Sequence, residues 1–340
     1  MDGALIGCGF FAQNHLHAWQ DLAPRARLVA VCDTDPEKAQ RAAAAFSIQR
    51  WYTDATKMFE TERLDFVDIA TTMPSHRPLV ELAAAHRVPI IVQKPLAPSW
   101  DDCVAIVEAA ERAGVPLMVH ENFRFQTPML RVADILASGV IGAPTWARIS
   151  FRTGYDVFAN QPYLLEEREL IVMDLAIHLL DLARVFLGEV EHLSCELQQQ
   201  HLQVRAEDTA TMLLRHTSGA VSVVDCTYMS RDLPDPFPQT LLHIEGPKGA
   251  IRMGRDFELD VISEGRIVSE YAGSPLLSWT AEPWHIAQES VRNTSAHFVD
   301  SLERGVTPAT SGRDNLRTYA LVRAAYAAAA SGCAEKPSQT

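Results

Sequence analysis

The 340-residue sequence lacks the features that mark several special classes of protein. Its six cysteines are scattered and include no Cys-x-x-Cys pair, which argues against a disulfide framework. Basic residues are in the minority, 30 against 43 acidic ones, and the net charge of −13 argues against a nucleic-acid or anionic-membrane partner. The sequence also has no internal repeat, and its only biased stretch is a run of alanines near the end.

Long uninterrupted apolar runs are missing as well. The most apolar long segment, 170–187, contains Asp174, His178, Asp181 and Arg184, so it cannot be a membrane-spanning helix. No basic segment followed by an apolar one precedes the first predicted strand, so we expect no secretory signal. We therefore expect a cytoplasmic protein with reduced cysteines, and the length predicts two domains.

The first motif lies within the opening twelve residues, where a short apolar strand is followed by the spacing Gly-x-Gly-x-x-Ala. Gly7 permits a tight turn, Gly9 lets a pyrophosphate approach the backbone, and Ala12 lets the next helix pack closely. The free backbone N–H groups at the helix start, at Phe10 and Phe11, would hold the phosphates. The spacing indicates dinucleotide binding, although glycine turns of this kind also occur for packing reasons alone.

An acidic residue at the end of the next predicted strand strengthens this interpretation. Asp33 follows the apolar run 28–32, where a carboxylate binds the hydroxyls of the adenosine ribose. A carboxylate would repel the 2′-phosphate of NADP, and the neighbouring Thr34 offers no positive charge. The sequence therefore predicts NAD as the cofactor.

The order of predicted strands and helices gives the fold class. In the first third of the chain short apolar strands alternate with helical patterns, which predicts right-handed βαβ units and a doubly wound parallel sheet, the Rossmann fold, for residues 1–121. Between residues 190 and 271 successive strands are joined by short turns, which predicts an open, largely antiparallel sheet. We assign residues 122–334 to this second domain, for substrate binding and oligomerisation, and expect residues 335–340 to be disordered.

Two groups of polar residues could carry chemistry. Lys94 follows a predicted parallel strand, at the edge where open α/β sheets bind ligands, although an ordinary surface lysine fits this position equally well. On a helix, Asp174, His178 and Asp181 would share one face. Asp174 could hold the His178 imidazole in the tautomer that accepts a substrate proton. The alternatives are a satisfied core histidine and a metal site, the latter less favoured because no further ligand cluster is evident.

Taken together and in order, these motifs resemble the glucose-fructose oxidoreductase, inositol dehydrogenase and rhizopine-catabolism family (Gfo/Idh/MocA). The resemblance covers nearly the whole chain and is carried by residues 7–12, 33, 72–76, 93–95 and 174–178. In that family a Rossmann domain binds NAD or NADP, and a mixed-sheet domain supplies substrate contacts and the oligomer interface. The family's lysine matches Lys94, and its helical Asp-x-x-x-His pair matches Asp174 and His178, which implies that these three are the catalytic residues.

The resemblance also implies cofactor contacts in two loops. They map onto Thr72, Met73 and His76, of which His76 could otherwise be a capping or exposed loop residue, and onto Gln93 and Lys94. Gln93 stands where the family motif has glutamate, which puts in doubt any role that needs a carboxylate there. An amide can still hydrogen-bond the cofactor.

Substrate contacts are implied for Lys94, Asp174 and His178, and for Asn122 and Arg124 in a segment that matches the family's crossover between domains. Arg124 could instead form a salt bridge between domains.

The implied activity is the NAD-dependent oxidation of a hydroxyl of a cyclic sugar. Within the family, residues 4–15, 92–95 and 120–126 are most similar to dehydrogenases that oxidise the anomeric centre of an aldose such as D-apiose to its lactone. An inositol or other polyol 2-dehydrogenase would keep every motif, whereas a non-enzymatic dinucleotide-binding regulator would not need Lys94 and His178 together. An open sheet with one exposed face favours a homodimer or homotetramer.

Overall fold

The computed structural model describes residues 1–338, which divide into two compact units. The first unit comprises Met1–Asn122 and Gln288–Leu316, and the second comprises Phe123–Ala287 and the chain from Arg317 onward. The sequence-based division placed residues 122–334 in the second domain. The structure instead returns residues 288–316 to the first unit, where Thr310 O accepts a hydrogen bond of 2.8 Å from Val119 N. No local sequence pattern encodes such a return.

The first unit contains a parallel sheet with the strand order β3-β2-β1-β4-β5-β6. Its strands are β1 Asp2–Ile6, β2 Arg27–Cys32, β3 Arg50–Tyr52, β4 Phe66–Ile69, β5 Ile90–Gln93 and β6 Leu117–His120. Its helices are α1 Ala12–Leu22, α2 Pro36–Ala45, α3 Ala55–Thr61, α4 His76–Ala85 and α5 Trp100–Ala113. The predicted Rossmann fold is confirmed. The strand order reverses at β1 and β4, and the carboxyl ends of strands at such a reversal are where these sheets bind ligands.

Local signals explain the helix boundaries of this unit. Asp35 caps α2 by accepting hydrogen bonds from the backbone N–H groups of Glu37 and Lys38, with Pro36 as the first helical residue. Ser99 caps α5, which ends at Gly114 in the left-handed conformation. Both caps are residue types that favour the first position of a helix, so these two boundaries follow from local sequence.

The second unit contains a sheet with the order β14-β13-β12-β11-β7-β10-β9-β8. Its strands are β7 Trp146–Arg152, β8 Val190–Gln198, β9 Thr209–His216, β10 Val221–Thr227, β11 Leu241–Gly246, β12 Gly249–Met253, β13 Glu258–Ser263 and β14 Arg266–Tyr271. Strands β7 and β10 are parallel and all the other neighbours are antiparallel, which confirms the predicted, largely antiparallel sheet. Burial alternates along β9, so one face of the sheet is left exposed there.

The helices that follow β6 in the chain are α6 Thr127–Ala137, α7 Ile177–Leu187, α8 His285–Arg304 and α9 Gly312–Ser331. Most of α8 lies in the segment 288–316 of the first unit. A π-helical turn, Val172–Ala176, precedes α7. Within residues 1–338 no helix is both long and apolar enough to cross a membrane.

The end of the chain differs from the expectation of disorder over residues 335–340. Glu335 exchanges two backbone hydrogen bonds with Leu193 of β8, at 2.8 and 2.9 Å. The prediction is therefore wrong at Glu335, because this residue adds to the edge of the sheet. Gln339 and Thr340 lie outside the described residues.

Candidate active site

The glycine turn after β1 has the geometry that its sequence indicates. Gly7 has φ +96°, and a Cβ at this position would lie 2.5 Å from the carbonyl oxygen of Ala70, so only glycine fits. A Cβ on Gly9 would meet no atom within 4 Å. Ala12 is 1% exposed and packs in the core with Leu5 and Leu16. The turn therefore packs tightly against the sheet at Gly7 and leaves free space beside Gly9.

The open side of this turn borders a cavity of about 400 Å³. Its lining includes Gly9 and Phe10 of the turn, and Lys38 and Arg41 of α2. The sequence analysis did not single out these two cations. Their ion pairs are loose, Lys38 with Asp35 at 3.9 Å and Arg41 with Glu37 at 3.5 Å, so their charge favours an anionic ligand beside the glycine turn.

Asp33 ties the end of β2 to the glycine turn. Its Oδ2 accepts a hydrogen bond of 2.7 Å from Cys8 N, and its Oδ1 accepts one of 2.9 Å from Asp35 N. Each carboxylate oxygen keeps a further lone pair, so the side chain can hold the turn and still accept from a ligand hydroxyl.

The loop after β4 is also fixed from within. Ser75 Oγ donates to Thr71 Oγ1 at 2.7 Å, and Met73–Ser75 form a short 3₁₀ turn. Thr72 is exposed and Met73 is half-buried, so both are accessible to a ligand.

His76 closes this loop and is 1% exposed, which rules out the exposed-loop alternative. Its Nδ1 lies 3.1 Å from the carbonyl oxygens of Pro95 and Leu96, and its Nε2 lies 3.1 Å from that of Thr71. Burial lowers the pKa of His76, against the backbone carbonyls, which raise it. Since both ring nitrogens face backbone carbonyls, His76 joins the Thr71 loop to the Lys94–Pro95 turn, and its contact with the cofactor stays a prediction.

Gln93 and Lys94 end β5 at the carboxyl edge of the sheet. Gln93 Oε1 accepts a hydrogen bond of 2.8 Å from Lys94 N, and Gln93 Nε2 lies 3.0 Å from His15 Nε2. Lys94 itself is half-buried. The Gln93 amide is thus engaged within the unit, whereas the sequence analysis assigned it to the cofactor.

In the second unit Asp174 lies in the π-helical turn, where the sequence predicted a regular α-helix. Its Oδ2 accepts a hydrogen bond of 2.7 Å from the hydroxyl of Tyr228, just beyond β10. Burial and the neighbouring Asp174 carboxylate raise the pKa of Tyr228 well above its usual range, so the hydroxyl stays a proton donor. The sequence analysis missed Tyr228, because no spacing rule connects a strand end with this helix.

His178 begins the regular part of α7 and is 4% exposed. Its ring stacks on that of Phe123, with centroids 3.9 Å apart and planes inclined by 3°. This stacking fixes the plane of the imidazole, and Phe123 is a second residue that the sequence analysis missed.

Asp181 is fully buried and paired with Arg124. Arg124 Nε donates to Asp181 Oδ2 at 2.7 Å, and Thr318 Oγ1 donates to Asp181 Oδ1 at 2.8 Å. The Arg124–Asp181 ion pair therefore lies inside the second unit, and the salt bridge between domains stays a prediction. Because a buried carboxylate is costly unless it is paired, this ion pair anchors the segment next to Phe123.

Asn122 ends the first stretch of the first unit and is 6% exposed. Its Nδ2 donates to Ser290 Oγ at 2.7 Å. The donor group that the sequence analysis assigned to the substrate thus holds the returning segment 288–316.

The arrangement of the first unit fits a dinucleotide. Open space beside Gly9, the start of α1, the Asp33 carboxylate and two nearby cations are what a pyrophosphate and an adenosine ribose require. Within the described residues, no group of three or more His, Cys, Asp or Glu is arranged to hold a metal ion.

Comparison with known families gives two matches in sequence order. Residues 1–121 match the oxidoreductase family with the NAD-binding Rossmann fold, GFO_IDH_MocA. Residues 129–252 match the GFO/IDH/MocA C-terminal domain.

Individual relatives are similar over nearly the whole chain. The D-apiose dehydrogenase of Rhizobium rhizogenes is 49% identical over 332 residues, 98% of this chain and 96% of that protein. The D-apiose dehydrogenase of Paraburkholderia graminis is 50% identical over 330 residues, 97% of this chain and 88% of that protein. The crystal structure of an oxidoreductase from Agrobacterium radiobacter in complex with NAD⁺, L-tartaric acid and magnesium is 48% identical, with a TM-score of 0.97, and the match covers 99% of this chain and 98% of that one.

Proposed function

The chain belongs to the GFO/IDH/MocA oxidoreductase family, and we propose that it is an NAD-dependent sugar dehydrogenase that oxidises D-apiose at its anomeric carbon. The observation that carries this proposal is the identity of about half of all residues, over nearly the full length, with two D-apiose dehydrogenases. The glycine turn and Asp33 support the choice of cofactor independently of that likeness.

The residues proposed to hold NAD lie in the first unit. The backbone N–H groups of Phe10 and Phe11, beside the open space at Gly9, bind the pyrophosphate. Asp33 accepts hydrogen bonds from the adenosine ribose hydroxyls. Thr72 and Met73 contact the cofactor from the loop after β4, which His76 holds in place. When bound, NAD⁺ supplies the hydride acceptor.

His178 is the proposed general base. It takes the proton of the anomeric hydroxyl as the hydride leaves the same carbon, which converts a cyclic hemiacetal into a lactone. The substrate loses one hydride and one proton, that is, two electrons and two protons in all. Stacking on Phe123 fixes the plane of the ring. Asp174, held by the Tyr228 hydroxyl, selects the tautomer of His178 that accepts this proton.

Lys94 is proposed to bind the same hydroxyl and to stabilise the negative charge that develops on its oxygen. The attraction between a cation and the substrate oxygen is stronger in the transition state, where the oxygen carries negative charge, than in the ground state. Such a cation therefore raises the rate of the chemical step.

Arg124 and Asn122 then act on the substrate through position. Arg124, paired with Asp181, fixes the segment that carries Phe123. Asn122, the residue before Phe123, is hydrogen-bonded to Ser290. The direct contacts with substrate hydroxyls that the resemblance implies for both residues stay predictions.

A substrate panel tests the proposal. The protein is incubated with NAD⁺ and, separately, D-apiose, D-xylose, D-glucose and myo-inositol, and the products are identified by NMR. We expect the highest kcat/KM with D-apiose and an aldonolactone as its product. An inositol ketone as the main product, with no lactone from any sugar, would overturn the anomeric assignment.

We also propose that the protein forms a homodimer or homotetramer. Leu213 on β9 is 53% exposed, and Ile267 and Val268 on the edge strand β14 are 60% and 66% exposed, which is costly for a monomer. Sedimentation equilibrium gives the mass directly, and a mass of 37.6 kDa across the concentration range would contradict this proposal.

A further inference from the structure

A chain of hydrogen bonds runs from the half-buried backbone of Lys94 into the core of the first unit. Lys94 N donates to Gln93 Oε1 at 2.8 Å, Gln93 Nε2 lies 3.0 Å from His15 Nε2, and His15 Nδ1 lies 2.7 Å from Asp68 Oδ2. His15 and Asp68 are both fully buried. Three elements take part: β5 ends at Gln93, α1 carries His15 and β4 carries Asp68.

The direction of this chain follows from its two ends. A backbone N–H can only donate, so the Gln93 atom that faces it must be the amide oxygen, and the amide nitrogen must face His15. An amide N–H also only donates, so His15 Nε2 must be the unprotonated nitrogen of the ring. The single ring proton is therefore on Nδ1, where the Asp68 carboxylate accepts it.

The Asp68 carboxylate next to His15 also faces a tryptophan and a second histidine. Trp19 Nε1 donates to the same Asp68 oxygen at 2.7 Å. Burial opposes ionisation of Asp68, but electrostatic attraction to the His15 and His120 rings, with the hydrogen bonds from His15 and Trp19, outweighs burial and holds the pKa of the carboxyl below its usual range. The ring of His120 lies 4.4 Å from that of His15, centroid to centroid, and burial lowers the pKa of His120 to about 3. The Phe11 ring lies 5.7 Å from that of His15, centroid to centroid, and carries no charge.

We infer that Gln93 and His15 form a matched pair of positioning residues, in which a neutral His15 protonated on Nδ1 fixes the Gln93 amide and the amide fixes the backbone at Lys94. The importance of this turn for catalysis rests on the proposed function, whereas the direction of the hydrogen bonds does not.

The pair explains how the chain accommodates glutamine at a position where the family motif has glutamate. A carboxylate at position 93 could still accept from Lys94 N, but it could bond His15 only if Nε2 carried a proton. Gln93→Glu therefore requires His15 to take up one proton from water and become a cation between two carboxylates. With glutamine the ring needs no charge.

NMR of the protein labelled with ¹⁵N-histidine tests the tautomer directly, with His15→Gln to assign the signals. In the wild-type protein at pH 7.5 we expect His15 to show a protonated Nδ1 and an unprotonated Nε2. In Gln93→Glu we expect both nitrogens to be protonated. A wild-type His15 with its proton on Nε2, or protonated on both nitrogens, would overturn the inference, and this result does not depend on the substrate.

Thermal unfolding tests whether Gln93 and His15 depend on each other for stability. Gln239 is a suitable control, because its amide likewise donates one hydrogen bond and accepts another, but its partners are two backbone groups, Gly254 O and Asp256 N, rather than a histidine. We expect the Tm to fall less in Gln93→Glu than in Gln239→Glu. We also expect Gln93→Glu to lower the Tm of the His15→Gln variant by about 3 °C more than it lowers the Tm of the wild type. Equal losses in both backgrounds would show that His15 does not supply the proton.

Kinetics separate positioning from simple stability. Gln93→Met leaves Lys94 N without its acceptor, so we expect kcat to fall about tenfold while the dissociation constant of NAD⁺ changes by less than about threefold. Gln93→Glu restores the acceptor and should recover most of kcat. If Gln93→Met retains full kcat, the pair does not position Lys94, and if the wild type itself oxidises no sugar, the proposed function fails while the NMR result stands.

Discussion

At the scale of single residues, three aspartates organise the two units, and each is held by donors of a different kind. Asp33 accepts from backbone N–H groups, Asp174 accepts from a tyrosine hydroxyl, and Asp181 accepts from a guanidinium group and a threonine hydroxyl. The first keeps lone pairs for a ligand, whereas the third is fully buried. The donors around each carboxylate therefore distinguish Asp33, which can still bind a ligand, from Asp181, which is structural.

Asp33 should control the choice between NAD and NADP. We expect kcat/KM to favour NAD by at least tenfold, about 1.4 kcal/mol, because the carboxylate repels a 2′-phosphate. Asp33→Asn should narrow this preference, since Lys38 and Arg41 remain on the wall of the neighbouring cavity. Asp35→Asn, which alters a helix cap two residues away, is the control and should keep it. Equal efficiency of the wild type with both cofactors would contradict the assignment.

Replacement of the proposed catalytic residues should affect turnover rather than cofactor binding. Lys94→Ala and His178→Ala should each lower kcat by about 10²–10⁴-fold, the usual contribution of general acid–base groups. Asp174→Ala should cost less than His178→Ala if Asp174 only orients the ring. NAD⁺ affinity, measured by calorimetry, should survive in all three variants, and Lys57→Ala on the exposed side of α3 should leave kcat unchanged. A Lys94 variant with most of its kcat would indicate a structural lysine.

Tyr228 offers a finer test of the same pair. Tyr228→Phe removes the hydroxyl that donates to Asp174 but keeps the ring, so we expect kcat to fall about tenfold, as for a lost hydrogen bond to a charged group. Tyr326→Phe is the matched control, because its hydroxyl donates to the Glu207 carboxylate at 2.6 Å, elsewhere in the same unit. Equal kcat values for the two variants would remove Tyr228 from the mechanism.

At the scale of elements, the glycine turn combines a structural requirement with a functional one. Gly7→Ala places a Cβ 2.5 Å from the Ala70 carbonyl oxygen at a positive φ, so it should destabilise the fold and lower Tm. Gly9→Ala places its Cβ in open space, so Tm should stay close to the wild type while NAD⁺ binding weakens at least tenfold. Calorimetric unfolding and NAD⁺ titration of both variants separate the effects. Weakened binding only in Gly7→Ala would mean that no pyrophosphate lies beside Gly9.

Elements with local signals could be predicted from the sequence, and those that depend on distant partners could not. The Asp35 cap, Pro36 and the apolar runs fix α2 and its neighbouring strands locally. The π-helical turn at Asp174 has no such signal, since its carboxylate is engaged by Tyr228, 54 positions later. His15 and Asp68 were missed for the same reason, although a charged residue inside the apolar strand β4 requires a buried partner.

At the scale of the whole molecule, buried histidines tie stability to pH. Burial lowers the pKa of His76, of His216 and of His120, the last to about 3. The same imidazoles titrate near 6.5 in the unfolded chain. Below pH 6.5 the unfolded state therefore binds protons that the folded state does not, so stability falls as the pH falls from 6.5 towards 3.

His120 should carry a large part of this acid sensitivity. Because the folded state keeps His120 unprotonated at pH 5, its free energy of unfolding there is about 2 kcal/mol lower than at pH 7 and above. Replacement by an apolar residue, His120→Leu, removes the titrating group, so the loss of unfolding free energy between pH 7.5 and pH 5 should shrink by about that amount. Guanidinium denaturation at the two pH values measures the difference, and His86→Leu, at an exposed histidine of the same unit, should leave it unchanged. Carboxylates with lowered pKa values, such as Asp68, still ionise at pH 5 and do not contribute in this window. The same acid loss in His120→Leu and the wild type would show that the His120 ring is already protonated in the folded protein or accessible to water.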